Sequence, residues 1–175
     1  MLSQYLTIKG QYPDAILFYR MGDFYEMFFE DALTAAPVLE VQLTSRDRNS
    51  ENPIPMCGVP HHAANGYVQK LLARGFKVAV CEQLEDPATA KGIVRRDVVR
   101  VVTPSLVGDP TLVSDDQRNI LISLWENDDG SVDLCTFDLL SGDLNVGKVE
   151  RTESILDLFC ELVPREILVP NAILE

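Results

Sequence analysis

The chain has 175 residues, enough for one large domain or two small ones, and its 46% hydrophobic content against 24% charged residues is too apolar for a disordered chain. No apolar run approaches the roughly 20 residues of a membrane helix, and the opening MLSQYLTIKG lacks the basic-then-apolar layout of a secretory leader. A net charge of −12 weighs against a polyanionic partner for the chain taken as a whole.

Residues 3–9 read as a first helix with Ser3 as its N-cap. The run Ala15-Ile-Leu-Phe-Tyr-Arg-Met21 is rich in β-formers, and Gly22-Asp23 separates it from Phe24-Tyr-Glu-Met-Phe28. A two-residue loop that opens on glycine is the signal of a II′ hairpin. A helix is expected from Phe29, with Glu30 and Asp31 in the first turn where the dipole favours them. Pro37 has no N–H for the carbonyl of Leu33, so that helix should end or kink there. Residues 41–44 read as a short strand and 46–52 as a polar, mobile loop. Over 60–75 a helix is expected, with Tyr67, Val68, Leu71 and Leu72 as its apolar stripe and Gly75 as its exit. Strands follow at 76–81 and 98–103.

The stretch TPSLVGDPTLVSDD at 103–116 gathers Pro, Gly, Ser and Asp and marks the best boundary. Beyond it, residues 119–126, 131–138 and 143–148 read as three strands of a meander, joined by Asn127-Asp-Asp-Gly130 and Ser141-Gly142. Ile155, Leu158, Phe159 and Leu162 repeat at helical spacing up to Pro164, and a further strand covers 166–169. The fold class is mixed α/β. A small mixed sheet with flanking helices occupies 1–104, a linker 105–116, and a βββαβ unit 117–175. One face of that last sheet lacks a cover, which leads us to expect a longer parent protein.

Charge divides at the same boundary. Residues 1–104 carry 11 Lys/Arg and 12 Asp/Glu, a balance of −1; residues 105–175 carry 4 and 15, a balance of −11. Two modules with different tasks are implied, and only the first could approach nucleic acid. The cysteines at 57, 81, 135 and 160 form no C-x-x-C pair, so reduced, mostly buried thiols are expected. Adjacent His61 and His62 would point about 100° apart on a helix and have no further ligand at suitable spacing, so no metal is expected.

The hairpin carries the informative chemistry. Along a strand side chains alternate, so Phe24 and Glu26 share one face while Tyr25 and Met27 share the other. An aromatic ring beside a carboxylate is an odd pair for a core. Either Phe24 packs inside with Glu26 at the edge, or both project into a ligand.

The run FYRMGDFYEMFFEDA at 18–32 resembles the N-terminal mismatch-recognition domain of the MutS family of bacterial DNA mismatch-repair proteins, whose signature is an aromatic–x–Glu pair in this setting. IPMCGVPHHA at 54–63, AVCEQLEDP at 79–87 and RRDVVRVVTP at 95–104 agree in the same order. Residues 117–175 are similar, more loosely, to the start of the family's ribonuclease-H-like connector domain. Two positions depart: Ser105 where glycine is common, and Pro37 in a helix that is usually continuous. The resemblance implies that Phe24 enters the minor groove as a wedge at a mispaired base, while Glu26 hydrogen-bonds the displaced base. It also implies contacts that position the wedge, for which Arg46 and Arg96 are candidates on the DNA backbone and Met56 a candidate against the groove. The plain alternatives are surface arginines and a core methionine.

What else the resemblance implies is a partner, mismatched duplex DNA, together with the remaining MutS domains and downstream repair proteins. A cytoplasmic bacterial setting follows, with this segment monomeric and the complete protein a dimer. No catalysis or cofactor is expected of this segment, since ATP and magnesium belong to a distant ATPase domain and no G-x-x-x-x-G-K-[ST] loop occurs here. Nuclease chemistry, the competing class, needs a carboxylate in the middle of Leu121-Ile-Ser-Leu-Trp125, and none is there. A third class, a protein-interaction module without a DNA-reading role, would draw on the acidic second half.

Overall fold

In the computed structural model, which describes residues 1–47, 52–86, 90, 92–105, 118–150 and 152–170, the chain forms two compact units, Met1–Thr103 and Pro104–Glu175. Unit 1 opens with α1 (Leu2–Lys9) and the hairpin β1 (Ala15–Met21) and β2 (Phe24–Phe28). After α2 (Phe29–Leu39) come β3 (Thr44–Arg46), β4 (Ile54–Pro60), a 3₁₀ turn at His61–Ala63, α3 (Ala64–Leu72), β5 (Lys77–Gln83) and β6 (Arg96–Val102). The strands make one sheet in the order β3-β4-β2-β1-β5-β6. Only β1–β5 is parallel; the other pairings are antiparallel.

Sheet alternation sorts unit 1 into two layers. Tyr25, Met27, Cys57, Val59, Val78 and Val80 are buried on the side where α2 packs on β2 and β4, and α3 on β5. On the other side Tyr5 and Ile8 of α1 join Leu17, Tyr19, Phe28, Ala79 and Cys81 in a second core. The Tyr5 ring meets Tyr19 and Phe28 edge-on at centroid distances of 5.5 and 5.0 Å. Its hydroxyl donates to Asp31 Oδ2 at 2.9 Å, which also accepts the Leu17 N–H at 3.0 Å, while Lys9 Nζ pairs with Oδ1 at 2.9 Å. One buried carboxylate thus joins α1, β1 and α2, and burial beside that charge pushes the Tyr5 hydroxyl up.

Several element boundaries differ from the sequence reading. Helix α1 begins one residue early, and Ser3 lies inside it, its carbonyl accepting the Thr7 hydroxyl at 3.0 Å. Helix α2 runs through Pro37 to Leu39; Pro37 and Leu33 both face solvent, where water can serve the carbonyl that proline leaves unpartnered. The short strand is at 44–46 and not 41–44, and Ile54–Pro60, read as motif alone, is a strand. Residues 48–51 of the expected loop lie outside the described residues, as do 106–116 of the expected linker and residue 117 after it.

Unit 2 holds β7 (Ile120–Glu126), β8 (Val132–Asp138), β9 (Leu144–Val149), α4 (Thr152–Leu162) and β10 (Glu166–Leu168). The sheet order is β10-β7-β8-β9, with β10 parallel to β7. Ile120, Ile122 and Leu134 form its core beneath Leu158, Phe159 and Leu162 of α4. Trp125, Leu144 and Val146 are exposed. Cys57 and Cys81 are buried thiols, whereas Cys160 is exposed. No helix among the described residues is long and apolar enough to cross a membrane.

Candidate nucleic-acid interface

The β1–β2 hairpin turns through Gly22, whose φ of +58° is open to glycine and costly for other residues; Asp23 has no positive φ. That combination suits the II′ turn expected from the sequence. Arg20 spans the turn, its Nε donating to Gly22 O at 2.5 Å. Strand β2 has a strand neighbour on both sides near the tip: Met21 faces Phe24 across β1–β2, and Phe24 faces Pro60 across β2–β4. Next to this pair the His61 N–H donates to Asp23 O at 2.9 Å.

At this tip Phe24 is 48% exposed, while Tyr25, Met27 and Phe28 of the same strand are buried. Of the two dispositions open from sequence, the ring therefore lies outside the core. Glu26 lies on the same face, and both side chains border Gly58, the residue opposite Glu26 on β4. A Cβ at Gly58 would stand 3.7 Å from Glu26 Cγ and 4.0 Å from Phe24 Cδ1, in contact with both. Sequence inspection missed this residue; the glycine inside IPMCGVP, placed against an aromatic–x–Glu strand, was the available signal.

Glu26 is half-buried, and its Oε2 has no hydrogen-bond partner among the described residues. Burial pushes its carboxyl above the usual range, and the positive charges of Arg46 and Arg96 pull it part of the way back. Cross-strand pairing explains why one of these cations is near. Arg46 faces Ile54, and Met56 faces both Thr44 and Phe28, so Arg46, Met56, Glu26 and Phe24 look out from one side of three adjacent strands. Helix α1 covers this side over β1 and β5. Met56 is part-buried against the α1 core, and Arg46 is half-buried at the end of β3.

Arg96 is placed differently from the sequence expectation. It is only 9% exposed, with Nε donating to Arg20 O at 2.7 Å, and Nη1 to Val94 O at 2.8 Å and Gln4 Oε1 at 3.4 Å. The guanidinium lies over the Tyr19 ring at 5.0 Å. Sequence reading put Arg96 ahead of its strand, hence outside; pairing of β6 with β5 extends to Arg96–Gln83 and turns the side chain under α1. The Arg96 guanidinium is therefore engaged within the fold, by two backbone carbonyls, Gln4 and the Tyr19 ring, where the sequence reading had it open to the surface.

The sheet thus presents a half-exposed aromatic beside a half-buried acid at a hairpin tip, and the comparisons give the class. Residues 1–111 match the model of MutS domain I. Relatives called DNA mismatch repair protein MutS are 53% identical over 172 residues in Desulfosudis oleivorans (98% of this chain, 19% of the relative) and 47% over 175 residues in Staphylococcus epidermidis (100% and 20%). The same protein of Alkaliphilus oremlandii is 49% identical over 172 residues, covering 96% of this chain and 19% of the relative. The chain belongs to the MutS domain I family, and it spans about a fifth of the length of these curated relatives.

Proposed function

We propose that this chain reads duplex DNA for mispaired or unpaired bases as the front part of a larger mismatch-repair protein. The observation that carries the reading is the exposure of Phe24 beside Glu26, on the α1 side of the sheet but at the hairpin tip, away from the α1 core. Phe24 inserts from the minor groove and unstacks a base step. Unstacking costs a few kcal/mol, and least where pairing is already defective, so a sound step resists the wedge and a mismatched one yields.

A carboxylate near phosphates is unfavourable unless it gains a specific bond. Glu26 either accepts a base N–H freed from normal pairing or takes up a proton and donates to a ring nitrogen. Its burial-raised proton affinity, which nearby phosphates would raise further, supports the second route. Arg46, on the same side two strands away, supplies a backbone contact, and Met56 packs toward the groove. Unit 2, with the acidic share of the chain, stands off the DNA and offers a surface for repair partners. Dimer formation and ATP hydrolysis belong to the rest of the protein.

The test uses the complete protein that carries this segment. Phe24→Ala should leave the fold intact and bring the affinity for mismatched duplex down to that for matched duplex. Retained preference for the mismatch in a folded Phe24→Ala protein would remove the mechanism.

A further inference from the structure

The β1–β5 ladder ends at Tyr19, paired with Cys81. Past that point β1 has a strand neighbour on one side only, β2, and the next carbonyl, Arg20 O, lies two residues before the turn. Arg96 takes that carbonyl with its Nε at 2.7 Å, reaching over from β6 across β5. The same guanidinium covers Tyr19, which sits directly opposite Glu26 in the hairpin register. Gln4 closes the arrangement: its Oε1 accepts the Tyr19 hydroxyl at 2.5 Å and lies 3.4 Å from Arg96 Nη1.

We propose that Arg96 is a positioning residue for mismatch reading, holding the hairpin of Phe24 and Glu26 in place through Arg20 O and the Tyr19 ring without itself touching nucleic acid. This rests on the reading of Phe24 and Glu26 given above. A fork of donors fits the task where an ammonium does not, because the side chain must bond two backbone carbonyls and lie flat on a ring at once. The buried positive charge also opposes the burial-driven rise of Glu26 from inside the protein, where salt screens it poorly.

The experiment compares Arg96→Lys with the parent in the complete protein, measuring Kd for matched and mismatched duplexes across a salt series, with circular dichroism to verify folding. Lysine keeps the charge and loses the fork. The ratio of the two affinities should fall about ten-fold, as expected for loss of one charge-assisted hydrogen bond, while matched binding and the salt slope stay as they were. An unchanged ratio overturns the proposal. So does a parallel fall of both affinities, which marks a contact to DNA made alike in both complexes. If Arg96→Lys fails to fold, Gln4→Ala decides: it loosens the clamp and leaves the cation, and should lower the ratio about three-fold, in keeping with one weaker neutral contact. Full preference in folded Gln4→Ala counts against the proposal. Phe24→Ala run alongside separates the failures: preference lost there but kept in the clamp variants sinks only the role of Arg96.

Discussion

Glu26 shows how one side chain can cost the fold something and still be kept. Its Oε2 is buried without a partner among the described residues, and desolvation raises its carboxyl above the unfolded value. For an acid shifted in that direction the native state holds its proton more tightly than the unfolded chain does. Stability is therefore fully present below the unfolded pKa and falls as pH rises through the folded one. Glu26→Gln should unfold at a higher temperature than the parent at neutral pH, and the gap should close on acidification below the ordinary carboxylate range. Thermal melts at several pH values check this; a variant less stable at neutral pH would mean that the charge is well solvated. Asp31 is the contrast. It is also buried, yet it accepts three donors, and its place in the sequence suggested only a helix-start acid. Nothing local in Asp31 announces Tyr5 or Leu17, because both reach it through the tertiary fold.

At the level of elements, Gly58 sets how closely β4 approaches Phe24 and Glu26. The nearest atom to an added Cβ is the Tyr25 carbonyl oxygen at 3.4 Å, an ordinary contact, so alanine fits there. A branched side chain would press on the ring and the acid. Gly58→Val should fold and yet lose mismatch preference by roughly ten-fold, a displacement effect of the kind that misplaces a group by a fraction of an ångström. Binding that matches the parent would show the pair to be insensitive to its support. The hairpin itself was legible in the sequence to the residue, since β-formers on both sides of Gly22-Asp23 leave one register. Strand β4 was not, because Pro55, Gly58 and Pro60 break the alternation that marks a strand. Pro55 and Pro60 sit near its ends, and only Cys57 and Val59 show the buried phase. Arg46 was legible as a cation, but its face was decided by pairing with Ile54, and Arg96 was turned inward by pairing with Gln83. Residue type was readable at both arginines; exposure depended on strand register, which no local pattern carries.

Across the whole molecule the two units differ most in charge. Residues 105–175 hold 15 acidic and 4 basic side chains, against near balance in 1–104. Each unit has its own core. Residues 1–103 alone should therefore bind duplex DNA more tightly than residues 1–175 at about 10 mM salt, where the screening length is roughly 30 Å. The difference should shrink as salt approaches physiological strength. Equal affinities at low salt would show that the acidic unit exerts no long-range repulsion on the DNA.

The paired edges at the hairpin tip have a mechanical consequence. A gauge has to be stiffer than the object it deforms, or the strain goes into the gauge. Phe24 is paired with Met21 on one flank, and on the other the bond from the His61 N–H to Asp23 O ties the tip to the end of β4 beside Pro60. If Phe24 acts as the wedge proposed above, the compliance lies mostly in the nucleic acid. On that reading the protein would respond to how readily the step opens, whatever bases compose it, and a single phenyl group would serve many kinds of mispair.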